Sequence, residues 1–273
     1  QPMESEALAE RIRTTIAETS FNSGLVWRAS DRDTFRAIVS RGVQLPNLNL
    51  LGAVVVVTPS FKVAGSPFLE PSASTNYEIV WDREVDAIGA SVRAAVFHQA
   101  NSAMTSIEGI AFVGPEVYLA PTSIGDSHAT GIEIGLKGEI ADTWRWNADY
   151  RGELIDDDFI LPPPTPGTTT NYQDTTPEHL INAGLGWSGG RWEADGFVRY
   201  QSKVSGLLPG PPGGAPSLTP IPAHAALDGR VAYALTERAT ISLSGQNLGA
   251  ETQTQTSGPD VERTFMATLT VRR

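Results

Sequence analysis

The sequence predicts an all-β protein: an antiparallel transmembrane β-barrel, present as an incomplete wall of about 11–12 strands. Three observations lead there. From about Thr75 to Arg273, residues alternate apolar and polar in long runs. The links between runs are alternately short and long. Aromatic residues gather near the ends of the runs. A barrel in an outer membrane needs all three, because its strands hide apolar residues at every second position and its two rims differ in loop length.

The clearest strand is Trp144–Leu154. Trp144, Trp146, Ala148, Tyr150, Gly152 and Leu154 fall on one face, and Arg145, Asn147, Asp149, Arg151 and Glu153 on the other. Such a segment separates an apolar medium from a wet one. The same division recurs downstream. Ile132, Ile134, Leu136 and Ile140 oppose Glu133, Lys137 and Glu139. Trp192, Ala194, Val198 and Tyr200 oppose Glu193, Asp195, Arg199 and Gln201. Leu227, Val231, Tyr233 and Leu235 oppose Asp228 and Arg230. Ile241 and Leu243 oppose Thr240, Ser242, Ser244 and Gln246, and Phe265, Ala267, Leu269 and Val271 oppose Thr264, Thr268, Thr270 and Arg272. Phe197 and Met266 break the rule by falling on the polar face.

Tight turns are expected at Asp82–Ala87, Ile140–Trp144, Ser188–Arg191 and Leu235–Ala239. Long connections are expected at Ala100–Ser127, Asp157–Thr175, Ser205–Pro222 and Leu248–Val261. Upstream, Phe21–Ala29 and Thr34–Gly42 read as a hairpin across Ser30-Asp31-Arg32-Asp33. A long connection Val43–Ser74 follows, with the apolar stretch Leu48–Val57 inside it, and then Thr75–Val85 and Ile88–Gln99. Residues 1–20 read as a loop or short helix. Leu8, Ile12 and Ile16 suit a helix, whereas Ile12, Thr14 and Ile16 equally suit a strand. Residues 21–273 form the barrel region.

A soluble β-sandwich also alternates. Runs beyond ten residues, against the usual five or six, and aromatics at strand ends favour the barrel.

Composition narrows function. The chain has 273 residues and a formal net charge of −11, which excludes a nucleic-acid partner, since phosphate binding needs a basic footprint. It contains no cysteine, which suits an oxidising envelope without disulfides. No apolar run, Leu50–Val57 included, approaches the roughly 18–20 residues of a membrane-crossing helix. Gln1-Pro2-Met3-Glu4 lacks the basic start and apolar segment of a signal peptide, so a mature chain or a piece of a longer one is expected. Eleven clear strands leave the N-terminal end on the long-loop side, whereas bacterial barrels have even numbers. Either Met3–Ala17 supplies a twelfth strand, or more barrel lies upstream; unpaired strand edges in lipid favour the latter.

No motif points to catalysis, a cofactor or a metal. Gly184-Leu185-Gly186-Trp187-Ser188-Gly189 matches a dinucleotide fingerprint, but an alternating strand follows it where a helix is required. His98, His128, His179 and His224 lie far apart, and Ser127 beside His128 is the sole local hint of a hydrolase. The ligand-facing candidates are the acidic run Glu153, Asp156, Asp157 and Asp158, at the long-loop end of its strand, with Arg145, Arg199 and Arg230 on the inward face. The acidic run reads either as a cation or lipopolysaccharide bridge or as a solvated negative rim. Inward charges of mixed sign, including Glu133 and Lys137, suit contact with a protein plug better than a pore selective for one ion sign. The proline-rich tracts Pro162–Thr170 and Pro209–Pro216 fall in long loops as extended spacers.

Several stretches resemble the C-terminal barrel of TonB-dependent outer-membrane receptors. These are Arg41-Gly42-Val43-Gln44-Leu45-Pro46, Pro67-Phe68-Leu69-Glu70-Pro71 with Ser74-Thr75-Asn76-Tyr77-Glu78, Ala129-Thr130-Gly131-Ile132-Glu133, Thr176-Pro177-Glu178-His179 and Gln246-Asn247-Leu248. Their order and spacing carry the likeness from Phe21 to the C-terminus. Ser66 stands where the family has Asn, and Val80 where it has Gly. The resemblance implies that the chain is the last half of a barrel of about 22 strands. It also implies a globular N-terminal plug and an energy-coupling box upstream, reached by the inner-membrane TonB complex. The implied role is active import of a scarce ligand (siderophore, cobalamin or oligosaccharide) across the outer membrane, amid lipid and lipopolysaccharide, with no enzymatic step. The alternative is a complete twelve-stranded pore or barrel hydrolase. The chain ends Thr270-Val271-Arg272-Arg273 where the family ends in an aromatic residue; loss of a residue or two and an atypical ending both fit.

Overall fold

The computed structural model describes residues 16–58, 61–113, 115–159, 172–208 and 217–272. Residues 1–15, both proline-rich tracts and Arg273 lie outside them, so the helix-or-strand alternative for Met3–Ala17 and the reading of the final residue are left where the sequence put them.

Eleven strands form one antiparallel path in which each hydrogen-bonds to the next. They are β1 (Phe21–Arg28), β2 (Asp33–Gln44), β5 (Ser72–Val85), β6 (Ala90–Val113), β7 (Glu116–Ile140), β8 (Trp144–Phe159), β9 (His179–Gly189), β10 (Trp192–Gln201), β13 (His224–Ala234), β14 (Ala239–Gln246) and β17 (Thr264–Val271). These are the eleven strands that the alternation predicts. Among the described residues β1 and β17 are the free edges, and every residue of both is exposed, so the sheet is an open wall and not a closed barrel.

The outward face is apolar because the register aligns the alternating positions of neighbouring strands. Leu25, Ala37, Ile79, Val96 and Ile132 stand in one cross-strand row, as do Trp27, Phe35, Trp81, Ala94, Ile134, Tyr150 and Ile181. Leu25, Ile79 and Leu185 are each more than half exposed, which water would penalise and a hydrocarbon medium would not. Aromatic pairs collect toward the tight-turn rim: Trp27 with Phe35 at 5.5 Å, Trp144 with Trp187 at 6.3 Å and Trp192 with Tyr233 at 4.7 Å between ring centres. From Trp144 to Leu154 the strand rises about 33 Å, which at a 40° tilt spans roughly 25 Å, the height of a barrel's apolar band.

The tight turns fall close to expectation. The three-residue β7–β8 connection sets Ala141 and Asp142 at φ 54° and 55°, the paired left-handed conformation that matches strand twist, and the Thr143 N–H closes the turn on the Ile140 carbonyl at 3.4 Å. The β5–β6 turn lies later than Asp82–Ala87: β5 runs to Val85, and a short 3₁₀ turn Asp86–Ile88 ends at Gly89.

The long connections carry more structure than the sequence suggested. Ala100–Ser127 is mainly strand, not loop, because β6 and β7 continue as a tall hairpin. Register shifts between Asn101 and Met104 and between Ser106 and Gly109 break its alternation, which hid it. Val43–Ser74 holds a helix Leu48–Gly52, N-capped by the Asn47 side chain, and the hairpin β3 (Val54–Thr58) with β4 (Phe61–Ala64). Strand β4 meets β7 in parallel at Val63 and Leu119. Small ladders β11 (Val204–Leu208) with β12 (Ser217–Ile221) and β15 (Thr252–Gln253) with β16 (Val261–Glu262) occupy the last two long connections.

Candidate functional site

The inward face is graded from rim to base. Nearest the long-loop rim, one cross-strand row reads Gly42, Ser74, Asn101, Ser127, Asp157, and the next Ser40, Asn76, Gln99, Ala129, Ile155. These rows are polar but almost uncharged. Below them charge appears, with Ile38, Glu78, Phe97, Gly131, Glu153 and then Arg36, Val80, Ala95, Glu133, Arg151.

The inward charges are paired both across strands and along them. Arg151 lies 2.8 Å from Glu153 and 3.6 Å from Glu133, with its guanidinium 5.3 Å from the centre of the Phe97 ring. Arg93 lies 3.6 Å from both Glu78 and Asp82. Asp195 holds Arg145 at 3.2 Å and Arg230 at 3.2 Å, and Arg230 also reaches Glu193 at 3.1 Å. Arg199 pairs with Asp228 at 3.3 Å. Arg145, Arg199 and Arg230 are therefore each bound to a carboxylate of the wall. Arg145 sits one residue from the tight β7–β8 turn, whereas Arg199 lies two residues from the long-loop end of β10, where its partner Asp228 also bonds Asn247. Phe197, the exception to the alternation, does face inward, where it packs over Gly184: a Cβ there would come within 3.2 Å of its ring.

The acidic run does not act as one cluster. Strand β8 continues to Phe159, so alternation sends Glu153 and Asp157 to the inward face and Asp156 and Asp158 to the outward one. The four candidates are therefore divided between two faces of the same strand. Glu153 is buried, with a side chain 6% exposed. Asp157 accepts the Gln173 backbone N–H at 2.9 Å, while its Oδ1 is buried without a partner among the described residues. No group of three or more His, Cys, Asp or Glu side chains suited to a metal occurs among the described residues.

Alternation also separates Ser127 from His128. Ser127 faces inward and is buried, whereas His128 faces outward and stacks on His98 with ring centres 6.0 Å apart. They cannot serve as nucleophile and base to each other. The fingerprint-like glycines Gly184, Gly186 and Gly189 lie in β9, which turns directly into β10 as expected.

A cavity of about 630 Å³ opens beneath the rim, and sequence reasoning missed it. Its polar lining comes from Gln44, Ser72, Ser74, Gln99, Asn101 and Tyr172. Gln99 donates to Asn101 Oδ1 at 3.0 Å, and the Ser72 hydroxyl donates to the Ala103 carbonyl at 2.7 Å. Above it, Leu69 is buried, and the Ser66 N–H bonds the Leu50 carbonyl at 2.8 Å. That bond, with the Gly65 N–H to the Ala53 carbonyl at 2.7 Å, ties the chain entering Pro67–Pro71 to the helix Leu48–Gly52 and the residue after it. Burial, and then the nearby Asp157 charge, push the Tyr172 hydroxyl above its ordinary pKa, so it stays a donor.

Asn247 gives the Gln246-Asn247-Leu248 stretch a physical role. It adopts φ 51°, donates its backbone N–H to Asp228 at 3.0 Å and its side-chain amide to the Val261 carbonyl at 2.9 Å. Asparagine tolerates that left-handed turn better than most residues and ties the end of β14 to the following connection.

A wall of antiparallel strands, apolar outside, charge-paired inside and tall-looped at one rim, defines the transmembrane β-barrel class of protein. The family model described as TonB dependent receptor-like, beta-barrel matches residues 7–248, and the chain belongs to that family. A comparison with curated proteins finds no match. Among solved structures, the chain is similar to the ferripyoverdine receptor of the outer membrane of Pseudomonas aeruginosa bound to ferripyoverdine. That likeness has 17% identity and a TM-score of 0.68, covering 92% of this chain and 32% of that one. It is similar to a variant of the P. aeruginosa ferric enterobactin receptor PfeA, at 16% identity, TM-score 0.64, and 92% and 39% coverage. It is also similar to the siderophore receptor PirA from Acinetobacter baumannii, at 14% identity, TM-score 0.68, and 92% and 40% coverage. At these identities the likeness concerns the fold, and the chain spans 32–40% of the length of each solved receptor.

Proposed function

We propose that this chain is the barrel portion of an outer-membrane receptor that binds a scarce small molecule at its long-loop rim and imports it with energy from the TonB complex. The observation that carries the reading is the opposition of the two faces of one eleven-strand sheet, apolar outward and ion-paired inward. The outward face meets lipid, and lipopolysaccharide meets its rim. The inward charges, mixed in sign, form hydrogen bonds and ion pairs of a kind suited to a folded plug domain through which TonB acts, and suit a pore selective for one ion sign less well. The similar solved receptors include siderophore receptors, which supports a ligand-uptake role and leaves the choice of ligand to this chain's own cavity.

The test is uptake in cells carrying the complete reading frame that contains this chain. Uptake of the cognate ligand stops when TonB is deleted or the proton gradient is collapsed, while surface binding persists. Uptake that continues undiminished without TonB contradicts active transport and favours a passive pore.

A further inference from the structure

The cavity beneath the rim has a chemistry that selects among ligand classes. Its described lining contains no Lys or Arg, and Glu70 is its only carboxylate. Around it stand Gln44, Ser72, Ser74, Gln99, Asn101 and Thr105, all neutral donors and acceptors. Leu50, Leu69 and Met104 add apolar patches, and Tyr172 adds an aromatic ring that is 39% exposed. The Gln99–Asn101 bond uses one donor and one acceptor of two side-chain amides that carry more of each. Next to this lining, in the row Asn101, Ser127, Asp157, the Asp157 Oδ1 is a buried acceptor without a partner among the described residues.

An anionic chelate is poorly matched here. It would be desolvated against Glu70 and Asp157 with no cation in the described lining to offset the cost. The cations of the wall are engaged elsewhere: Arg41 with Glu18, Lys62 with Glu116, and Arg145, Arg199 and Arg230 as described above. A polyhydroxylated ring has the opposite profile. Its hydroxyls donate and accept at its edge, and its C–H faces pack on apolar and aromatic side chains. The volume, about 630 Å³, lies in the range of small-ligand sites.

We propose that this cavity is a binding subsite for a neutral, polyhydroxylated ligand of the oligosaccharide class, recognised by Gln99, Asn101 and Tyr172. The inference rests on the transport reading above, which it narrows to one ligand class.

The experiment uses the complete receptor purified in detergent, probed with an array of uncharged oligosaccharides and a parallel set of anionic ferric chelates. The expected result is binding to one or more uncharged glycans that changes little with salt, since no charge pair forms. Gln99→Ala, Asn101→Ala and Tyr172→Ala each weaken that binding roughly tenfold, as loss of a hydrogen-bonding or stacking side chain should. Tyr172→Phe, which keeps the ring, loses less than Tyr172→Ala. Heat-dependent gel mobility establishes that each variant remains a folded barrel. The proposal is overturned by binding confined to anionic chelates, by failure of every uncharged glycan to bind, or by glycan binding that folded Gln99→Ala and Asn101→Ala variants retain unchanged. An anionic chelate imported in a TonB-dependent manner would sink the ligand class and spare the transport reading. TonB-independent entry of a bound glycan would do the reverse.

Discussion

Glu153→Gln tests whether the inward charges serve the wall or the ligand. The carboxylate is 6% exposed and lies 2.8 Å from Arg151, which is 45% exposed and has Glu133 as a second partner at 3.6 Å. The amide keeps the shape and removes the charge. A hydrogen bond to a charged group contributes about 1.5–3 kcal/mol. Water and Glu133 recover part of the loss at the half-exposed guanidinium, so roughly 1–2 kcal/mol of destabilisation is expected. With a urea slope of about 2–3 kcal/mol/M, the unfolding midpoint falls by roughly half a molar. The assay is urea unfolding of the reconstituted receptor, read by gel mobility without boiling. In a double-mutant cycle with Arg151→Gln, the two losses should be non-additive by about 1 kcal/mol. Ligand affinity should stay within a factor of about two, because loss of a ligand hydrogen bond would cost nearer tenfold. Unchanged stability together with a large loss of affinity would refute the assignment of Glu153 to the wall.

Three further outcomes follow from the same geometry. Asn247→Ala should cost about 1–3 kcal/mol, from the lost bond to the Val261 carbonyl and the left-handed backbone, and Asn247→Gly less; urea unfolding of the pair checks it. Ala141→Gly should raise stability by up to about 1 kcal/mol in the same assay, because Ala141 sits at φ 54° in the β7–β8 turn. Contact between β4 and β7 should depend on pH. The Lys62 hydrogen bond, then that of Tyr118, holds the Glu116 carboxyl below its ordinary value, and the Glu116 hydrogen bond raises Lys62 above its own. The Glu116 contribution is complete above the ordinary carboxylate value and is lost as pH falls through the lowered one. That of Lys62 is complete below the ordinary ammonium value and is lost as pH rises through the raised one. Amide exchange in β4, corrected for intrinsic rates, should therefore be slowest in the neutral window and accelerate on both sides, and Lys62→Met should abolish the dependence.

Strand identity was legible in the sequence because an apolar surround imposes period two without relief. Each of the eleven strands shows it, and even Phe197 breaks it only to fill the space over Gly184. The height of β6 and β7 was not legible. Above the apolar band neither face is compelled to be apolar, and the register shifts near Asn101 and Ser106 scramble what pattern remains. Charge pairs such as Arg145 with Asp195 were hidden for another reason: they depend on the register between β8, β9 and β10, which no single segment encodes. The acidic run was visible as composition, yet its division between two faces needed β8 to reach Phe159. Gln99, Asn101 and Tyr172 drew no notice because neutral polar residues are unremarkable alone; separate segments of the chain bring them to one cavity.

The most direct test of the central claim uses the absence of cysteine from these 273 residues, any cysteine elsewhere in the receptor being replaced by serine. Single cysteines are placed in turn at Trp146, Asn147, Ala148, Asp149, Tyr150 and Arg151 of the complete receptor in its membrane. Each is treated with a water-soluble thiol reagent and with a lipid-embedded quencher of an attached dye. A transmembrane wall predicts strict alternation, with positions 146, 148 and 150 quenched by lipid and shielded from the aqueous reagent, and 147, 149 and 151 the reverse. Uniform aqueous labelling at all six positions would contradict the account.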